Sequence, residues 1–372
     1  MEFRLPPLEN MDMIDRHSFW QGKKVFITGH TGFKGGWLSL WLQHLGADLV
    51  GYAQTPPTSP SLYEMAHLAE GMHSVIGDVR DLEHLQQVMV EHEPEIVFHL
   101  AAQPLVRYSY EQPIETISTN VLGTAHLLEA VRHTSSVRVV VSITSDKCYE
   151  NKEWHWGYRE VDALGGHDPY SASKAAAELM IATYRNAYFP PERYGDHGVA
   201  LASTRAGNVI GGGDWAMDRL VPDIMRAVMN GRPVIIRNPR ATRPWQHVLE
   251  PLNGYLLLAE HLWQAGPQFA EAWNFGPNDA DVKPVSWIVD YVTRVWAEGA
   301  SWQLDDAEQP HENTFLKLDC SKAHNRLGWQ PRLNLAQTLD WIVDWFQAYQ
   351  RQENMRAMTI KQIECFEAIA KP

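Results

Sequence analysis

The stretch Lys24-Val-Phe-Ile-Thr28-Gly29-His-Thr-Gly32-Phe-Lys-Gly35-Gly36 decides the fold. Its first five residues are a short apolar run suited to a buried strand, and helical periodicity takes over in residues 36–45. Glycines at 29, 32 and 35 let the backbone turn tightly and approach a pyrophosphate, which then rests on the amino end of the next helix. Strand, glycine turn and helix in that order are the context a dinucleotide-binding motif requires. The spacing is G-x-x-G-x-x-G, with Thr31, Phe33 and Lys34 filling the loop.

Working outward, the pattern predicts further strands at 48–53, 73–76, 96–100 and 137–143, with helices between them, the clearest at 81–91 and 113–133. With right-handed crossovers these make one doubly wound parallel sheet of the Rossmann type, an α/β fold. The second strand ends at Gln54, where NAD binders usually place an acid for the ribose 2′-hydroxyl. Gln54 or His30 is left for that contact, and Lys34 suits a 2′-phosphate. The third strand leads to Asp78 and Val79, an acid placed to accept from an adenine amine, and Asp81 reads as a helix cap. The fourth leads into Leu100-Ala-Ala-Gln103, whose small residues let backbone pass close to a cofactor.

The 137–143 strand breaks off into Thr144, Ser145, Asp146 and Lys147, at the sheet edge where ligands sit in such folds. Tyr170 and Lys174 stand four apart and share one helical face. A lysine ammonium beside a phenol favours the phenolate, which makes Tyr170 a candidate general base.

The chain has 372 residues, enough for two domains, and a net charge of −13, which argues against general affinity for nucleic acid or anionic membrane. Its three cysteines are few and widely spaced, so neither a disulfide framework nor a metal site is expected. With no apolar run of membrane-spanning length and no signal-peptide core in residues 1–20, a soluble cytoplasmic protein is the simplest reading.

We divide the chain into an extension at 1–22, a dinucleotide-binding domain at 23–204 and a smaller, discontinuous substrate-binding α/β domain at 205–372. A strand near 272–276 is expected to return to the main sheet, and one at 234–237 to stay in the smaller part. Three arginines, Arg237, Arg240 and Arg243, concentrate in one loop of an acidic protein, and guanidinium forks suit phosphate oxygens.

Together, Thr28-Gly-x-x-Gly-x-x-Gly35, Asp78, Leu100-Ala-Ala102, Asn120 and Tyr170-x-x-x-Lys174 resemble the extended short-chain dehydrogenase/reductase family, in its sugar-nucleotide dehydratase and epimerase group. The resemblance implies bound NAD, held by Gly29, Thr31, Gly32, Phe33, Lys34, Gly35, Asp78, Val79, Leu100, Ala101, Ala102, Gln103, Asn120, Tyr170 and Lys174. Epimerases of that group need only a hydroxyl and the Tyr/Lys pair, whereas 4,6-dehydratases carry an acid and a base directly after the hydroxyl. Ser145-Asp146-Lys147, with Gly29-His-Thr-Gly-Phe-Lys-Gly-Gly-Trp37 and Arg243-Pro-Trp-Gln-His-Val248, looks like the dehydratase variant acting on CDP-linked glucose. The implied substrate contacts are Gln103, Ser145, Asn208, Arg219, Leu220, Arg240, Arg243 and His311, and relatives imply a homodimer or dimer of dimers built on residues 113–133 and 168–189. An epimerase, or a sensor of NAD without chemistry, is the remaining alternative.

Overall fold

The computed structural model describes residues 15–305 and 316–369. The packed fold begins before the glycine motif, at helix α1 (Arg16–Trp20). Trp20 is fully buried, and its indole N–H donates to Glu260 Oε1 at 2.8 Å, an oxygen that also accepts from Arg16 Nε at 2.8 Å. Residues 16–22 are therefore tied into the core by a shared buried carboxylate, which corrects their reading as an extension. Residues 1–14 lie outside the described residues.

Seven parallel strands make the main sheet: β1 (Lys24–Thr28), β2 (Asp48–Ala53), β3 (His73–Ile76), β4 (Ile96–His99), β5 (Val139–Ile143), β6 (Ala200–Ala206) and an edge strand Ala272–Phe275. Their spatial order runs Ala272–Phe275, β6, β5, β4, β1, β2, β3. The chain winds outward from β1 to β3, then returns to the other side of β1, and the reversal opens a crevice at the carboxyl ends of β1 and β4. Strands covered on both faces must be apolar at successive positions. Val25 and Ile27 accordingly pack with Trp20, Trp37 and Trp41 on one face, while Phe26 packs with Tyr52, Leu85 and Leu128 on the other.

Helix α2 (Phe33–His44) starts earlier than its periodicity suggests, because Gly32 already caps it in an extended conformation. The helix expected over 113–133 is interrupted by a π-turn, Ser118–Leu122, between the α-helical segments Pro113–Ile117 and Gly123–Arg132. The wide turn carries Asn120, which is buried and bonds to Gln103 and Ser173. Beyond β6 the small strands pair locally: Val234–Ile236 with Trp302–Leu304, and Thr242–Pro244 with Val282–Pro284.

Under the sheet, helix Leu249–Ala265 buries Glu250 completely. Its Oε1 accepts from the Arg332 and Leu333 amides at 2.8 and 2.7 Å, and Oε2 has no partner among the described residues. Burial pushes this carboxyl up from 4.5 to about 7. The folded chain thus holds the proton more tightly than the unfolded one. The associated stability is fully present below about pH 4.5 and is lost as pH rises through about 7, a loss of up to about 3 kcal/mol. Glu250→Gln should flatten that part of the urea-stability profile, so that the variant gains on the wild type as pH rises; parallel profiles would contradict the assignment.

Candidate active site

Thr144, Ser145 and Asp146 follow β5 and are all buried at the mouth of the crevice. Ser145 opens a single 3-10 turn, Asp146–Cys148: its Oγ accepts from the Lys147 amide at 3.2 Å and donates to Asp146 Oδ1 at 2.9 Å. Opposite stands helix Pro169–Ala187, started by the Asp168 side chain accepting from the Ser171 amide and by Pro169 at its first position. Tyr170 and Lys174 occupy its first turns and are both buried.

One turn further, Glu178 joins the two walls. Its carboxylate accepts from Thr144 Oγ1 after β5 at 2.5 Å, from Ser203 Oγ on β6 at 2.8 Å and from Arg205 Nη2 on β6 at 2.8 Å. Burial acts to raise the Glu178 carboxyl, but Arg205 and the two hydroxyls outweigh it and hold the group below the usual carboxylate range. Arg205 also donates to Tyr149 Oη at 2.8 Å, and Tyr149 donates to Asn274 Oδ1 at 2.8 Å on the edge strand. Neither Glu178 nor Arg205 stood out in the sequence, where each is one charged residue in an apolar segment.

Gly207 was also missed. A Cβ there would lie 1.9 Å from Asp146 Oδ2, so the carboxyl occupies the space that a side chain at 207 would fill. That oxygen is buried and has no hydrogen-bond partner among the described residues. Gln246 fastens this loop, donating to Phe275 O at 2.8 Å and Gly207 O at 3.3 Å, so part of the Arg243-Pro-Trp-Gln-His247 segment is structural.

The electrostatics differ from the sequence reading. Burial pushes the Tyr170 hydroxyl up to about 12, and the groups that act to lower it are Ser145 and Arg219. Lys174, expected to do this, is itself lowered to about 8 by burial, with Cys148 and Glu178 acting to raise it. Arg219 is held by Asp214 Oδ2 at 2.9 Å, and Leu220 begins the adjoining helix Leu220–Met229. Lys34 is lowered to about 8 by burial and by the charges of Lys174 and Arg219, with Asp146 acting to raise it. Lys34, in the first turn of α2, thus feels the charges of the reactive groups.

In the glycine loop, Gly29 takes a left-handed φ of 79°, and a Cβ on Gly35 would lie 2.1 Å from Gly29 O. Only glycine fits at both positions, and the uncapped amino end of α2 faces the crevice, so these residues fit a dinucleotide pyrophosphate. Thr31 Oγ1 donates to Gln54 O at 2.9 Å, and the Leu100 and Ala101 amides donate to Thr28 Oγ1 at 3.1 Å each. Asp78 accepts from Gln54 Nε2 at 2.7 Å and from Arg80, whose hydrogen bond holds its carboxyl below the usual range; Val79 is buried beneath. His30 is fully buried against Ser74 Oγ at 2.8 Å and lowered to about 4 by burial, which leaves Gln54 as the ribose candidate. Ala102 and Gln103 lie half-buried at the loop after β4, where the Gln103 amide bonds to Thr116 and Leu105 of its own surroundings rather than pointing to a substrate.

The arginine loop disperses. Arg237 pairs with Asp218 at 3.2 Å, Arg240 is exposed, and Arg243 is half-buried on Thr242–Pro244. Asn208 adopts a left-handed φ of 45° beside Gly207, and His311 lies outside the described residues.

The model of the GDP-mannose 4,6 dehydratase family matches residues 26–341. A CDP-glucose 4,6-dehydratase of Salmonella typhimurium is 58% identical over 351 residues, which is 94% of this chain and 98% of that protein. Among solved structures, a dTDP-glucose 4,6-dehydratase from Streptomyces venezuelae with NAD and TYD bound superposes with a TM-score of 0.72 at 20% identity, covering 88% of this chain and 98% of that one. A UDP-glucose 4-epimerase from Thermotoga maritima gives 0.75 at 19% identity, covering 88% and 99%. At such identities the two structures speak for the fold alone.

Glu178 and Arg205 are both almost fully buried, so removing one leaves the other charge without its partner. Glu178→Ala should cost about 3–5 kcal/mol in urea unfolding. A loss below about 1 kcal/mol, the range of a solvent-exposed pair, would show that the pair does not hold the walls together.

Proposed function

The chain belongs to the GDP-mannose 4,6-dehydratase family, and from that premise we infer that it is a CDP-D-glucose 4,6-dehydratase. The enzyme is a hydro-lyase that converts CDP-D-glucose into CDP-4-keto-6-deoxy-D-glucose, a precursor of deoxysugars for surface polysaccharide such as O antigen. The observation that carries this reading is Asp146: a buried acid with one uncommitted oxygen, hydrogen-bonded to Ser145 and set in the same pocket as Tyr170 and Lys174. An epimerase has no use for it.

A carbon 6 hydroxyl leaves poorly and the carbon 5 hydrogen is not acidic until carbon 4 is a ketone. NAD, held by the glycine loop, Asp78, Asn120 and the loop after β4, supplies the reversible hydride carrier that such a sequence needs. Tyr170 takes the carbon 4 hydroxyl proton, with Ser145 turning its single hydroxyl hydrogen from Asp146 to that oxygen and Arg219 favouring the phenolate. Lys174 anchors the ribose next to Tyr170. Asp146 gives its proton to the departing carbon 6 oxygen, and Lys147 takes the proton from carbon 5. Residues 23–204 with the edge strand carry the cofactor, and the remainder, with Asn208, Arg219, Leu220, Arg240 and Arg243, receives the nucleotide sugar. This reading places the enzyme in the cytoplasm with its nucleotide substrates; among the described residues, no helix is long and apolar enough to cross a membrane.

Helices Pro113–Ile117 and Pro169–Ala187 pack side by side and leave Ile114 and Leu179 more than half exposed, at 76% and 55%, as are Tyr110 on the preceding helix and Leu122 in the π-turn, at 65% and 51%. Large apolar side chains left exposed along these helices support a homodimer across them, extended to a dimer of dimers in the larger assembly. Sedimentation should give at least twice the chain mass of 42.4 kDa, and Ile114→Glu with Leu179→Glu should shift it to the monomer. A monomeric wild type would remove the proposal.

Product mass after incubation with NAD and CDP-, UDP-, dTDP- or ADP-glucose tests the activity directly. Loss of one water from the CDP-sugar alone is expected; an isomer of unchanged mass would make the protein an epimerase. Lys147→Ala, and Gly207→Ala through displacement of Asp146, should each slow dehydration by about 100-fold or more while the preceding oxidation of carbon 4, read as the absorbance of reduced NAD on mixing with CDP-glucose, persists. A Lys147→Ala variant with full dehydration rate would take that residue out of the mechanism.

A further inference from the structure

At the far end of α2 from the glycine loop, three elements distant in sequence bring metal-binding side chains to one point. His17 on α1, His44 at the end of α2 and Glu367 on helix Met355–Ala368 each offer one ligand atom, and these atoms all lie within 4.8 Å of one another. Glu367 Oε2 is 3.9 Å from His17 Nε2 and 3.8 Å from His44 Nε2, and Glu364 Oε1 is 4.0 Å from His44 Nε2. These separations are too long for hydrogen bonds, so the groups converge without bonding one another.

The other oxygen of Glu367 accepts from Trp41 Nε1 at 2.8 Å, which fixes the carboxylate and turns Oε2 toward the two imidazoles. Orientation of a ligand by a neighbouring donor is the arrangement that metal sites use. We propose that His17, His44 and Glu367 form a three-ligand site for a divalent transition-metal ion of the Zn2+ class, open on one side to water. Two imidazoles with a carboxylate suit zinc, cobalt or nickel and do not suit calcium or magnesium, which take oxygen ligands. Tetrahedral zinc with bonds of about 2.0–2.2 Å holds its ligand atoms roughly 3.4 Å apart, so closure needs shifts of less than about 1 Å.

His17 is 59% and Glu364 57% exposed at the side chain, against 23% for His44 and 22% for Glu367, so the site opens to solvent on one side. Bound there, the ion joins α1 and helix Met355–Ala368 to the end of the cofactor helix. It acts on the cohesion of the chain ends, away from the reacting groups.

The test uses the full chain, without a histidine tag and stripped by chelator, titrated calorimetrically with ZnCl2. One ion per chain is expected, with a rise in Tm on binding. His17→Ala and Glu367→Gln should each weaken binding about tenfold or more and abolish the Tm rise, while His17→Ala leaves the rate of CDP-glucose dehydration unchanged. His17 is exposed, so its variant folds even if changes at His44 prove disruptive. Failure of zinc, cobalt and nickel all to bind, or binding that neither variant weakens, overturns the proposal.

Discussion

The buried Glu178–Arg205 pair is the constraint on which the reactive pocket depends. Tyr170 and Lys174 come from a helix, Ser145 and Asp146 from the end of β5, and neither segment is fixed relative to the other by sequence proximity. Glu178 sits one turn beyond Lys174, and its carboxylate takes hydrogen bonds from Thr144, Ser203 and Arg205, so the helix, β5 and β6 meet at one charge. Buried ion pairs are poor sources of net stability, since desolvation offsets much of their attraction. Here the pair fixes geometry: replacing it by apolar residues would leave the core packed but give the helix no reason to stop at that rotation. Through Tyr149 and Asn274 the same network reaches the edge strand, which carries the loop-fastening contact to Gln246.

The second organising theme is missing side chains. Gly29 and Gly35 remove the atoms that would block the turn before α2, and Gly207 removes the one that would collide with Asp146. Two of these glycines let the backbone pass close to itself, Gly29 against Ala101 and Gly35 against Gly29, and the third makes room for an acid of the protein itself.

The sheet was legible because its central strands are buried on both faces and therefore read as unbroken apolar runs, and their alternation with helices implied one doubly wound parallel sheet; the order of the strands came from the structure. The Tyr170/Lys174 pair was legible from its four-residue spacing, and Ser145 and Asp146 from their position after a strand. What escaped were the relations that spacing cannot encode. Arg219, far along the chain, acts on Tyr170 where Lys174 was expected to. Gly207 looks like any loop glycine until Asp146 is seen against it. Residues 16–22 read as a tail because their anchor, Glu260, lies 240 residues from Trp20. The arginine cluster was a cluster in sequence only, since Asp218 claims Arg237 and leaves the others at different depths.

The π-turn at Ser118–Leu122 has a consequence for how this chain can vary in length. Such a turn holds one residue more than the α-helix on either side of it. Deleting any single residue within it would let the hydrogen-bonding ladder run without interruption, and the helix taken alone would lose a defect. Because the widened turn absorbs its extra residue, the same deletion would leave Pro113–Ile117 and Gly123–Arg132 facing as they do, and would close the turn that presents Asn120 to Gln103 and Ser173. The segment is thus locked to its present length by what it presents inward, and a shortened version would keep a better helix in a protein with a worse site.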